Sequence, residues 1–222
     1  GIGFIQRLED GDDAIDWTYF VTAHELAHQW WAHQSPGGFA QGATILTEGL
    51  AEYSALVLME RKYGREAAQK FLRQELDGYL RGRGRERKKE VPFLYVENQP
   101  YIHYQKGSLV YYALRDYLGE ETFHRAVRSY VEKWAFKGPP YATSRDLLAE
   151  IRAVTPDSLQ PVLTDLFETI TLFEHKAESA RVVKRPDGRW DVTLEVKARK
   201  LRADSLGVES EVAEADYVDV GV

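Results

Sequence analysis

The fourteen residues Thr22–Ser35, TAHELAHQWWAHQS, are the natural place to begin. They hold three of the six histidines, a glutamate and two adjacent tryptophans. His24, Glu25 and His28 spell H-E-x-x-H. On an α-helix, side chains four residues apart lie one turn above each other on the same face. Two imidazoles so placed can both reach a zinc ion at about 2.0–2.1 Å. Glu25 stands beside the first ligand, where its carboxylate can take a proton from a zinc-bound water. The competing reading is a buried helix with a pair of hydrogen-bonded core histidines. His33, nine residues after His24, points to the far side of a continuous helix and is no ligand.

Three further features favour the metal. A catalytic zinc needs a third protein ligand and an open position for water, and Glu48 opens the next helical stretch, LTEGLAEYSALVLME. Folding that helix back antiparallel could bring its carboxylate to the ion, although a first-turn carboxylate is also favourable at any helix N-terminus. The residues around the histidines are mostly apolar, which suits the floor of a dry cleft. Tyr104 in YIHYQKG precedes a helix, and a phenol there could donate to the oxyanion of a tetrahedral intermediate; Tyr101 competes for that role. Glu52 shares the face of Glu48 and reads either as a carboxylate orienting a histidine or as a surface charge. His103, His124 and His175 read as ordinary surface or partly buried residues, and Trp30 and Trp31 as core or cleft wall, with core preferred.

Composition sets the frame. A chain of 222 residues, 44% hydrophobic and 29% charged, can bury a sizeable core. The net charge of −6 argues against nucleic acid as the main partner. There is no cysteine, so disulfides and thiolate ligands are excluded and any metal must sit on His, Asp, Glu or water. No apolar run reaches the roughly 20 residues of a membrane span. Both ends, GIGFIQ and YVDVGV, read as strands cut from something longer.

The pattern along the chain is a strand over Gly1–Leu8, a turn at Glu9–Asp13, then helices over Ala14–His33, Ile45–Tyr63 and Glu66–Leu80. RGRGRERKKE, Arg81–Glu90, reads as a solvated loop, since its Gly and Glu interrupt the charge and no aromatic interleaves it. Helices follow near Tyr104–Leu118, Glu120–Phe136, from a Ser144 cap to Ala153, and over Ser158–Thr169. From about Glu174 apolar and polar residues alternate around Pro186-Asp187-Gly188, a hairpin signal. The expected fold is mainly α, α+β, with a helical unit over 1–173 and the start of a β-rich domain over 174–222.

HELAHQWW, TEGLAEY and YQKG together resemble the aminopeptidase N family of zinc metallopeptidases, which are gluzincins. The resemblance runs from Gly1 to about Leu172. It implies a thermolysin-like catalytic domain followed by a small β-domain, with Zn2+ held by His24, His28 and Glu48. It further implies Glu25 as general base, Tyr104 as stabiliser of the transition state and a peptide as substrate. Nineteen residues separate His28 from Glu48, one more than is usual in that family. The family's G-x-M-E-N motif, which grips the substrate amino terminus, has no counterpart in this chain, so exopeptidase and endopeptidase action both stay open. The wording of HELAHQWWAHQ, QGATILTEGLAEYSAL and QPYIHYQKGSLVYYALRDYLG is similar to a bacterial subgroup fused to an ABC-transporter-type permease. That likeness implies an extracytoplasmic setting, and with it an alternative role as a zinc-binding sensing or regulatory domain with little turnover.

Overall fold

A computed structural model describes residues 15–87, 89–213 and 216. The expected strand over Gly1–Leu8, the turn at Glu9–Asp13 and the helix start at Ala14 lie outside these residues. Helix α1 covers Trp17–Ala27, and its free N–H groups are met by Asp16, whose Oδ1 accepts from Tyr19 N at 2.9 Å. α1 stops at Ala27, short of the expected His33. Trp31 leaves the helix to donate its indole N–H to Ser54 at 2.9 Å, and Ala32 adopts a φ of 118°. No breaker precedes Pro36, so only this long-range contact reveals the helix end.

The chain returns through a π-helical turn, Ile45–Gly49, that runs straight into α2, Leu50–Tyr63. Gly64, at φ 88°, makes the break before α3, Arg65–Arg83. α3 therefore takes in the first residues of the basic segment expected to be loop. The last residue of the segment is tied back to that helix: Arg83 Nε donates to the buried Glu90 at 2.8 Å. A second π-helical turn, Tyr101–Lys106, feeds α4, Gly107–Leu118, and α5 covers Glu120–Trp134. α6 spans Ser144–Val154. Its cap is Thr143, not Ser144: Thr143 and Asp146 form a capping box, while Ser144 Oγ donates to Leu94 O at 2.8 Å. The stretch expected as one last helix is broken into a 3-10 turn, the short α7, Gln160–Leu163, and a π-helical turn, Thr164–Glu168.

Two apolar cores hold the helices. Phe20, Leu56, Met59 and Phe71 join α1, α2 and α3. Tyr111, Phe123, Tyr130 and Phe167 anchor the larger one among α2, α4, α5 and α6. A three-stranded antiparallel sheet follows, β1 Ile170–Lys184, β2 Trp190–Ala203 and β3 Glu209–Val212, in the order β1-β2-β3. Lys184 pairs with Trp190 around the Pro-Asp-Gly turn, with Gly188 at φ 85°. The strand begins at Ile170, four residues before the change of period at Glu174. Its base is fastened to the helices by Asp165, which meets both Lys200 and Arg202.

Candidate metal centre

α1 and α2 pack side by side, so one face of α1 meets the turn that opens α2. His24 lies in the last turn of α1 and His28 at its C-cap. Glu48 lies in the first π-helical turn. Glu48 Oε2 is 3.2 Å from His24 Nε2 and 3.4 Å from His28 Nε2. Ligand atoms of all three lie within 4.8 Å of one another. The other ring nitrogens are engaged elsewhere. His28 Nδ1 donates to Trp31 O at 3.0 Å. His24 Nδ1 lies 2.7 Å from Glu52 Oε2, a short ion pair in which the N–H points off the line between the atoms. Both Nδ1 positions thus have acceptors, which leaves both Nε2 atoms facing the shared centre.

The charge balance follows from this crowding. Burial opposes the imidazolium of His24, but Glu48 and Glu52 outweigh it and lift its pKa to about 9. His24 holds the Glu48 carboxyl below its ordinary value against the effect of burial, helped by the Tyr104 hydroxyl and the His28 charge. In effect a proton occupies the centre of an anionic cup. A divalent cation can take the place of that charge, and two neutral imidazoles with one carboxylate are a donor set suited to zinc.

Tyr104 reaches the cup from the second π-helical turn, and its hydroxyl faces the Glu48 carboxylate. Burial and the Glu48 charge push its phenol well above the ordinary range, so it remains a hydrogen-bond donor at neutral pH. Tyr101 is placed elsewhere, stacked on Tyr79 and donating to Glu86 at 3.2 Å. Glu25 is exposed on α1 beside His24, and its charge is felt at Tyr104. His33 is exposed; His124 pairs with the Tyr53 hydroxyl at 2.7 Å.

Two expectations need correction. Trp30 is not core: it is 47% exposed, because α1 ends before it, and it lines a surface cleft with Trp31, the other reading its position allowed. His103 is buried, its ring 4.4 Å from that of Tyr104, and burial lowers its pKa to about 4. A neutral His103 therefore backs the tyrosine without adding charge. Its position one residue before Tyr104 was the available signal, but period alone does not tell which way a π-helical turn points it.

Fold and site together define a helical domain whose H-E-x-x-H helix and following glutamate make a single three-donor cluster among the described residues. Residues 8–167 match the peptidase family M1 domain, and the chain belongs to that family. It is similar to human endoplasmic reticulum aminopeptidase 2, 27% identical over 140 residues, which is 60% of this chain and 14% of that protein. It is also similar to aminopeptidase M1-A of Oryza sativa subsp. japonica, 30% identical over 159 residues, 65% of this chain and 16% of that one. The chain thus spans about a sixth or less of these relatives. A substrate-bound (Tyr-Ser-Ala) mutant of the M1 zinc metallopeptidase of Deinococcus radiodurans shares the fold, with a TM-score of 0.51, 22% identity, and coverage of 67% of this chain and 32% of that one.

Proposed function

We propose that this chain carries the catalytic centre of a zinc-dependent peptidase of the aminopeptidase type. The observation that carries the reading is the meeting of His24 Nε2, His28 Nε2 and Glu48 Oε2 at one point. His24, His28 and Glu48 would hold the zinc. When bound, zinc supplies a Lewis acid that polarises the scissile carbonyl and acidifies water. Glu52 and the Trp31 carbonyl fix the two rings through their Nδ1 atoms. Glu25 accepts the proton of the attacking water and passes it to the leaving amine. Tyr104, kept protonated, turns its hydroxyl to the developing oxyanion, a donor placed where charge grows. The peptide-binding helical unit is assigned to 1–173 and the start of a β-rich domain to 174–222.

Elemental analysis of the purified chain should find zinc, and Glu25→Gln should keep the metal while losing hydrolysis of aminoacyl substrates. Full turnover by that variant would sink the mechanism. Zinc with no turnover in the wild-type chain would instead favour the sensing domain of a permease. Among the described residues no helix is long and apolar enough to cross a membrane. Products from peptides with blocked and free amino termini separate exopeptidase from endopeptidase action.

A further inference from the structure

The surface cleft lined by Trp30 and Trp31 runs between α1, α2 and α5 and has a volume of about 590 Å³. We propose that it binds an alkyl carboxylate, a fatty-acid-like amphiphile, and that the bound chain steadies the support of His28. A space of this size with an apolar lining and a few charges is the usual form of a small-ligand site. Ala23 and Ala27, one turn apart on α1, leave the floor open. Leu26, Trp30 and Leu58 are 58%, 47% and 37% exposed, and all three border this one cleft. Their contiguity separates them from the scattered apolar residues that every surface carries.

The charge of the ligand follows from the lining. Among the described residues it holds two guanidiniums, Arg61 and Arg128, and no carboxylate, on a chain whose net charge is −6. Arg61 shares its charge with Glu120 at 3.1 Å. Arg128 is exposed and has no hydrogen bond or ion pair among the described residues. Burial holds His124 below the ordinary histidine value, so it stands neutral at pH 7. The ligand body is alkyl rather than peptide because the polar groups of the cleft are already satisfied. Ser54 Oγ accepts the Trp31 indole N–H and donates to Leu50 O at 2.7 Å. The Tyr53 hydroxyl and His124 Nε2 share a hydrogen bond of 2.7 Å. Peptide groups laid there would lose water and find no partner, whereas a hydrocarbon chain has none to lose.

Trp31 joins the cleft to the metal centre through two bonds. Its indole N–H donates to Ser54 Oγ at 2.9 Å in the cleft wall, and its carbonyl accepts from His28 Nδ1 at 3.0 Å. A chain packed on the indole holds the residue, and the carbonyl that orients the His28 ring is held with it. Zinc and the amphiphile therefore raise each other's affinity by the same factor. This coupling rests on the metal reading above; the cleft and its ligand do not.

The test follows the indole N–H signals of the five tryptophans in proton–nitrogen correlation spectra during titration with decanoate, below its micellar concentration. Decanoate should shift the signals of Trp30 and Trp31 and leave those of Trp17 and Trp190 in place. Decyltrimethylammonium, with the same chain and the opposite charge, should bind about tenfold or more weakly, the worth of a charge-assisted hydrogen bond. Arg128→Glu, a change at an exposed position, should reverse that order. No shift with decanoate, equal affinity for the two amphiphiles, or a preference that survives Arg128→Glu would overturn the site. A shift confined to Trp190 would place the amphiphile on the exposed hairpin and overturn it equally. With decanoate at saturation, chelator competition should find zinc held about fivefold or more tightly. Unchanged zinc affinity overturns the coupling alone, and a chain that binds decanoate but no zinc rejects the metal reading alone.

Discussion

Gly49 and Gly107 meet back to back where the two π-helical turns cross. A Cβ added at Gly107 would sit 3.3 Å from Gly49 Cα, and one added at Gly49 would sit 3.1 Å from Tyr111 Cε2. One turn carries Glu48 and the other carries Tyr104, so the spacing of these two side chains is set by a contact that leaves little room for a Cβ. Gly107→Ala should push the turns apart, destabilising the chain by about 1–3 kcal/mol as overpacked cores do. Urea unfolding measures the loss. An unchanged midpoint would mean that the turns are free to slide.

Tyr104→Phe removes one donor and little volume. The hydroxyl is aimed at Glu48 and stays protonated, so its loss should lower kcat by about 10²–10³-fold with KM little altered. Zinc content should not change, because Tyr104 lies outside the three-donor cluster. A rise in KM with kcat intact would move Tyr104 from the oxyanion to substrate binding.

How much of this was legible beforehand varies with the kind of interaction. The meeting of His24, His28 and Glu48 was readable because helical spacing fixes the two imidazoles and the next helical stretch opens on a carboxylate. The hairpin was readable from its period and turn. The end of α1 was not, since Trp31 is drawn out by Ser54, twenty-three residues away. The π-helical turns were also hidden: they shift side chains by a fraction of a turn, and that shift separates Tyr104 from Tyr101. Glu75 was visible in principle. It lies between Phe71 and Tyr79 on the buried stripe of α3, a carboxylate where the period calls for an apolar residue.

Glu52→Gln tests the support behind His24. Glu52 is 7% exposed and sits 2.7 Å from His24 Nδ1. Such partners fix the ring and raise its basicity, and their loss typically weakens metal affinity about 10–100-fold. Competition with a chelator of known affinity gives the number. Zinc affinity equal to wild type would reduce Glu52 to a buried bystander.

Glu75 also predicts how stability varies with pH. Its folded pKa, about 8, is raised by burial and by Glu52 above the ordinary 4.5. Below the unfolded pKa both states hold the proton and Glu75 costs nothing through ionisation. As pH climbs from there toward 8, the unfolded chain sheds that proton while the folded chain keeps it. Stability therefore falls across this window, by at most about 1.4 kcal/mol per pH unit, and levels off above it. Glutamine cannot ionise, so Glu75→Gln should gain on wild type steadily from pH 5 to pH 8, reaching on the order of a few kcal/mol. His103 and Lys106, also buried, titrate in both chains and cancel in the difference. Urea unfolding of the zinc-free proteins at pH 5, 6.5 and 8 supplies the comparison. Parallel curves would show that Glu75 ionises freely in the folded chain, and the buried acid behind the metal centre would have to be abandoned.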